Sequence, residues 1–275
     1  LDKFNGVLRY SQGDERNGVS ATLMGYANHW HSTDQIPRRA VASGSIGRFG
    51  FIEETDGGET YRYAGSIDRQ WSGPNRSTRV TGYTQRYGVQ LFHNFTYFLN
   101  DPVNGDQFEQ FEERWTTGGK LTHRRMARVG GKPSESAFGV NFRSDSVGGP
   151  LGLHLTRATE RISTARADEV DQQSLGLFGE TEVEWSRMAR TTFGLRGDLY
   201  HWDVTAKNPL NSGTKTSGIM SPKISAAFGP WGGTEIYANW GLGFHSNSAL
   251  GIMLTADPFT NEKGNPSPAF ARANG

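Results

Sequence analysis

A chain of 275 residues with 29 basic and 28 acidic side chains carries a formal charge of +1, so no global field draws it to nucleic acid or another polyanion. It has no Cys, which removes disulfides, thiolate metal sites and cysteine nucleophiles together. Mean hydropathy is −0.61 and no run approaches the ~18 apolar residues of a spanning helix; this excludes a helical membrane protein but not a membrane β-barrel, half of whose strand residues are polar.

The residues alternate with a period of two along most of the chain. At the start, Phe4, Gly6, Leu8 and Tyr10 oppose Asn5, Arg9 and Ser11, with Val7 the exception, and QGDERNG (12–18) is a dense turn. A second strand, 19–30, sets Ala21, Leu23, Gly25 and Ala27 against Thr22, Met24 and Tyr26; the alternation does not say which side faces out. His29, Trp30 and His31 then lead into a long loop, 32–59. Tyr61, Tyr63, Gly65 and Ile67 carry a third strand to the turn WSGPNRS (71–77). A fourth strand is expected over 79–99, with Tyr87, Val89, Leu91, Phe95, Tyr97 and Leu99 on one side. At ~3.3 Å per residue it overshoots a hydrocarbon layer. After a loop at 100–107, the descending strand 108–125 is charged at its start and weakly patterned.

Beyond a turn at 128–134, Phe138, Val140 and Phe142 resume as Leu151, Leu153 and Leu155, which reads as one strand with a bulge at Gly148, Gly149 and Pro150. Residues 159–167 read as a charged loop. Leu175, Leu177, Thr181, Val183 and Trp185 then oppose Glu180, Glu182 and Glu184. Three glutamates on one face are untenable in a dry core and cost little on a hydrated surface. Phe193, Leu195, Gly197 and Leu199 oppose Arg196 and Asp198, and 205–217 is a polar loop. Met220, Pro222, Ile224, Ala226 and Phe228 oppose Ser221, Lys223 and Ser225. In the last strand Ile236, Ala238, Trp240, Leu242 and Phe244 alternate with Asn239, Gly241, Gly243 and His245.

The chain is therefore all-β, about ten antiparallel strands in hairpin order. Short turns roughly alternate with long polar loops, the asymmetry of a transmembrane β-barrel. A soluble sandwich or propeller is the alternative, and no repeat of ~40–50 residues supports the propeller. Tyr10, Tyr26, Trp30, Tyr61, Trp71, Trp185, Tyr200, Trp202, Trp231 and Tyr237 lie near strand ends, as headgroup rings or as ordinary strand aromatics. No nucleophile elbow, zinc-protease helix or P-loop pattern occurs. His29 and His31 share a face without a third metal ligand in sequence, and Asp101 and Asp106 flank a turn, where aspartates ordinarily bond their own backbone. Asn75-Arg-Ser77 and Asn94-Phe-Thr96 fit a glycosylation sequon, which an expected mid-strand position argues against at Asn94. Neither catalysis, a metal nor a cofactor is expected.

The stretch YANWGLGFHSNSALG (237–251) resembles a run found in TonB-dependent outer-membrane receptors, roughly Y-A-N-x-G-x-G-F-H-S-N-D-A-R-G. It matches at Tyr237, Ala238, Asn239, Gly241, Gly243, Phe244, His245, Ser246, Asn247, Ala249 and Gly251, and departs at Ser248 and Leu250, where the family carries Asp and Arg. The likeness extends through KFNGVLRYSQGD (3–14), STDQIP (32–37), NFTYFLNDPVNGDQFEQ (94–110) and SPKISAAFGP (221–230). It implies that residues 1–275 are consecutive strands of a receptor barrel of typically about 22 strands. The first residue is not Met and the last two are Asn-Gly, so the plug domain, the TonB-binding segment and the barrel's C-terminus are expected outside this stretch. The resemblance further implies a bacterial outer-membrane location and TonB-driven uptake of a bulky, scarce solute: a ferric siderophore, cobalamin or an oligosaccharide. Partners would be the TonB complex, a plug in the lumen, outer-membrane lipid and the solute, with no nucleic acid. Glu180, Glu182, Arg196, Asp198, Asn239 and His245 would face the lumen, toward plug or solute, with Ser246 and Asn247 where the last strand meets its external loop. A passive porin-like barrel and a soluble carbohydrate-binding β-protein are the competing readings.

Overall fold

The computed structural model describes residues 2–32, 35–95 and 97–275. Thr33 and Asp34 of the STDQIP stretch, Thr96 of the second sequon and Leu1 lie outside the described residues. Eleven strands follow one another: β1 (Asp2–Gly13), β2 (Gly18–His31), β3 (Gly57–Gly73), β4 (Arg76–His93), β5 (Gln107–Val129), β6 (Lys132–Arg157), β7 (Glu160–Ser186), β8 (Ala189–Thr205), β9 (Gly213–Trp231), β10 (Thr234–Ser246) and β11 (Phe270–Asn274). Each pairs antiparallel with the next, in the spatial order of the chain. Two four- to five-residue helices, α1 (Arg38–Ala42) and α2 (Ala249–Ile252), sit in long connections. No helix of the described residues is long and apolar enough to cross a membrane.

Register decides which side chains share a side, because a one-residue slip would exchange the faces. One row across the sheet runs Tyr10, Ala21, Ile67, Gly82, Gly119, Phe142, Leu175, Leu199. The adjacent row, one residue along each strand, runs Ser11, Ser20, Asp68, Thr81, Lys120, Asn141, Gly176, Asp198. The first row belongs to a continuous apolar face and the second to a polar one. Nothing packs on the apolar face: Leu177 is 59% exposed and Met220 likewise 59%. A second sheet laid against it would have buried both, so the sandwich is eliminated. The polar face is concave, since Gln70 on β3 and Glu180 on β7 line one cavity of about 460 Å³.

The two ends of the sheet differ. Connections 14–17, 74–75, 130–131, 187–188 and 232–233 are tight, two of them Gly-Gly pairs at positive φ (57° and 79° at Gly130 and Gly131), as two-residue hairpins require. The opposite end carries the long connections and strand extensions. β7 has 27 residues, about 90 Å of chain at ~3.3 Å each, which even when tilted far exceeds a ~30 Å hydrocarbon layer. At the long-loop end Trp202, Val204, Val170 and Val147 turn inward and are covered by Ala249, Ile252 and Ala269, which makes a hydrophobic cluster of buried residues from several elements.

Several expectations need correction. There is no loop at 159–167: β6 and β7 continue to a two-residue turn, Ala158–Thr159, with φ of 47° and 69°. The hairpin stands beyond the apolar band, where polar residues carry no penalty, so its second strand, 160–167, lacks an apolar signature although Leu151, Leu153 and Leu155 alternate on the first. β4 ends at His93 and not at Leu99, and β5 runs over Gln107–Val129. Tyr87, Val89 and Leu91 lie on the concave face, because they share rows with Arg62, Thr60 and Gly58 while Val80 and Gly82 take the apolar side. The break at 148–150 is a bulge: register shifts between Val147 and Leu151. The second face of β2, undecided in sequence, resolves with Ala21, Leu23, Gly25 and Ala27 on the apolar side. Of the strand-end aromatics, Tyr26, Trp30, Tyr200, Trp202 and Tyr237 are on the concave side, and Trp202 is fully buried.

The alternation of β10 also divides. Ile236, Ala238 and Trp240 continue the apolar face beside Phe228, Ala226 and Ile224. Pairing with β9 ends at Gly241–Lys223, and the upper part of β10 pairs with β11 instead. Leu242 then lines a concave-side cavity and Phe244 meets Tyr200 at 6.1 Å between rings.

Candidate functional site

The wall between β3 and β10 on the concave side is where charge collects. Its strands place a polar side chain at every second residue, and burial by neighbours forces those charges to pair. Asp68 accepts from Arg79 Nε at 2.7 Å and from Thr81 Oγ1 at 2.6 Å. Arg124 meets Glu135 at 2.5 Å. Lys223 on β9 pairs with Glu180 on β7, across the intervening Gly194 of β8. Arg196 grips Asp198 through two bonds of 2.7 and 2.6 Å, and Asn141 accepts from its third nitrogen at 2.8 Å once its amide is oriented to satisfy both ends. Arg143 holds Asp145 in the same i, i+2 manner at 2.6 and 2.8 Å. These pairs run along the wall and do not project from it.

Glycines make that possible. A Cβ on Gly139 would stand 2.3 Å from the Phe178 ring, one on Gly194 2.6 Å from the Lys223 stem, and one on Gly176 2.3 Å from the Arg196 guanidinium. Each bulky side chain lies flat over a residue without one.

Of the residues singled out in sequence, Glu180 and Arg196 line one cavity of about 370 Å³ with Lys120, Asn141, Phe178 and Lys223. Asp198 adjoins it through Arg196. Glu182 is on the same face further toward the short turns, accepting from Thr192 at 3.2 Å. Asn239 shares a row with Ser225 and is exposed. His245, Ser246 and Asn247 are not part of this cluster. His245 is exposed opposite Ala271 and Ser246 pairs with Phe270. Asn247 ties the β10–β11 connection by donating to Pro268 O at 2.8 Å.

A second cluster, at the long-loop end and beyond the apolar band, was missed in sequence. The Glu109 side chain is 1% exposed yet charged, bonded by Arg161 and by Gln90 at 2.7 Å. Burial pushes its carboxyl up, but the Arg161 guanidinium and the Gln90 amide outweigh this and hold it below the usual carboxylate range. His154, its cross-strand partner, is pushed down by burial and by Arg161. Gln107 next to it satisfies its whole amide: it donates to Asp56 (2.8 Å) and Thr55 (3.0 Å) and accepts from Thr156 and the Thr159 N–H (3.1 Å each). One side chain thus joins the β2–β3 connection to the β6–β7 tip. Asp101 and Asp106 bond backbone N–H groups of their own turn, at 2.7 Å from Asp106 to Asn100 and Asp101.

An open sheet with an exposed apolar exterior, an ion-paired interior and long loops at one end has the build of a large barrel wall. Residues 2–270 match the family described as TonB dependent receptor-like, beta-barrel. The chain belongs to this family. Among solved structures, this receptor-barrel chain is similar to the ferric citrate transporter FecA in its unliganded form (TM-score 0.73, 11% identity, 88% of this chain and 36% of that one). It is also similar to the siderophore receptor PiuA from Acinetobacter baumannii (TM-score 0.69, 10% identity, 90% and 43%). The open form of the ferric-catecholate import receptor Fiu from E. coli K12 gives a TM-score of 0.68 at 10% identity, over 87% and 46%. None of the curated proteins compared matches this sequence. The receptor-barrel chain spans less than half the length of those three structures, and at such identities they establish its fold alone.

Proposed function

We propose that the chain forms part of the barrel wall of a bacterial outer-membrane receptor, which imports a bulky anionic chelate, a ferric siderophore, with energy delivered through TonB. The carrying observation is the segregation of the two faces. The apolar rows suit acyl chains, and the flat ion pairs suit a hydrated plug. In this reading Glu180, Glu182, Arg196, Asp198 and Asn239 face the plug, while His245, Ser246 and Asn247 stand near the mouth, closer to the solute. An anionic cargo is favoured by Lys3 and Arg62 on the upper concave face. The structural neighbours named as ferric citrate, ferric-catecholate and siderophore receptors support the same class.

The test uses the intact receptor in an outer membrane. Uptake of radio-iron chelates is compared with and without functional TonB, and the barrel is followed by heat-dependent gel migration. TonB-dependent accumulation is the expected result. Uptake that persists without TonB would make the barrel a passive pore, and a product soluble and monomeric in plain buffer would remove the membrane reading altogether.

A further inference from the structure

Two arginines face each other on the apolar side of the sheet. Arg76, the first residue of β4, and Arg125 on β5 are direct cross-strand partners, in the row that also contains Gly73. Such partners have Cβ atoms ~5 Å apart, and like charges placed so repel. Neither makes an ion pair or a hydrogen bond among the described residues, and both are exposed. The contrast with the adjacent residue is sharp: Arg124 points to the concave face and has Glu135 at 2.5 Å. Glu15, Arg16 and Glu135 border the same rim cavity as Arg76 and Arg125, but among the described residues neither carboxylate comes within ion-pair distance of the outward arginines, whereas the inward Arg124 is in contact with Glu135.

The surroundings say what the missing anion is. The row above, one step further from the tight turn, is Trp71, Thr78 and His123, with Thr78 Oγ1 and His123 Nδ1 at 2.8 Å. Above that come Arg69, Val80 and Leu121, where the apolar band begins. A tryptophan lying between charged and apolar rows marks the headgroup level of a bilayer. At that level, on the outside of a barrel, the abundant fixed anion is a lipid phosphate. Arg69 carries no ion pair either, and its long stem allows its head to reach the same plane. A zwitterionic lipid would bring its own ammonium beside guanidinium groups already in excess, whereas a net-negative lipid would not.

We propose that Arg76 and Arg125, with Trp71 beside them, form a binding site for the phosphate of an anionic glycerophospholipid on the short-turn leaflet. The site rests on the outer-membrane reading above but on neither the plug nor the solute. Planar guanidinium forks suit phosphate oxygens bidentately.

The experiment uses the intact receptor, extracted in mild detergent and reconstituted with phosphatidylglycerol or phosphatidylcholine, with retained lipid counted by native mass spectrometry. Wild type should hold one phosphatidylglycerol in preference to phosphatidylcholine. The R76Q/R125Q variant should hold it about tenfold to thirtyfold less tightly, from two arginines at a membrane surface. An R128Q/R187Q variant, which loses the same charge from exposed positions at two other tight turns outside that rim cavity, should retain lipid as wild type does. Equal retention by wild type and R76Q/R125Q, an equal loss in R128Q/R187Q, or no preference between the two lipids would each overturn the site. Heat-dependent gel migration separates this from the larger reading: a folded, detergent-dependent barrel without the lipid sinks only the phosphate site.

Discussion

Ile224 and Ser225 are consecutive residues of β9 that should respond oppositely to the same substitution. Ile224 lies on the apolar face, in a row with Phe193 and Trp240, and is 40% exposed in the chain alone. It is eight residues from the tight turn at 232–233, about 20 Å once strand tilt is allowed for, which puts it near the middle of the hydrocarbon. Ser225 shares its row with Thr192 and Asn239 on the concave side, next to Glu182, which Thr192 contacts. Arginine at mid-bilayer on a barrel exterior costs about 2–4 kcal/mol. A thirtyfold to several-hundredfold fall in the folding equilibrium is therefore expected for Ile224→Arg. Ser225→Arg places the same charge in water with a carboxylate near it, and about 0.5 kcal/mol either way is expected. Denaturant titration of the refolded receptor in phospholipid vesicles, followed by tryptophan fluorescence, measures both. Equal costs, or a larger cost at 225, would mean that the two faces have been assigned the wrong way round.

The Glu109–Arg161 pair makes the long-loop end pH-sensitive. A carboxyl held below its ordinary value of 4.5 contributes stability that is present above that pH and lost as pH falls through the folded value. Hydrogen exchange at the β6–β7 tip should therefore accelerate on acidification below about 4.5, and Glu109→Gln should abolish that step. Gln107→Leu keeps the volume but removes the bonds to Asp56, Thr55 and Thr156; it should loosen the β2–β3 connection and the β6–β7 tip together, by about 1–3 kcal/mol in local opening. Acceleration confined to one of the two would show that Gln107 does not couple them. Gly139→Ala sets a Cβ 2.3 Å from Phe178 and 2.7 Å from the Leu121 carbonyl, and should cost about 1–3 kcal/mol. Adding Phe178→Leu should recover only the part due to the ring; complete recovery would mean that the backbone contact is harmless.

Strand identity and the facing of β7, β8 and β9 were legible because the apolar band imposes a strict period of two wherever lipid must be met. Glu180, Glu182, Arg196 and Asp198 fall on the concave face, as that alternation requires. The same rule fails outside the band. Nothing obliges 160–167 to alternate, so the longest hairpin looks like a loop, and Tyr87, Val89 and Leu91 look lipid-facing although they line the interior. Partnerships were invisible for another reason: Lys223 reaches Glu180 across Gly194, and Glu109 reaches Arg161 from β5 to β7, so both need the register of three strands. The division of β10 at Gly241 leaves no trace in the pattern, because Leu242 and Phe244 stay apolar while changing what they touch. The family signature in 237–251 supplied what periodicity could not.

The flat side chains over Gly139, Gly176 and Gly194 have a consequence for anything seated inside. Guanidinium, ammonium and phenyl groups laid sideways leave few teeth at mid-height, and their charges are already spent on one another. On the receptor reading, an occupant would meet recesses floored by glycine in place of projecting side chains, and would fit them by shape rather than by claiming a charge.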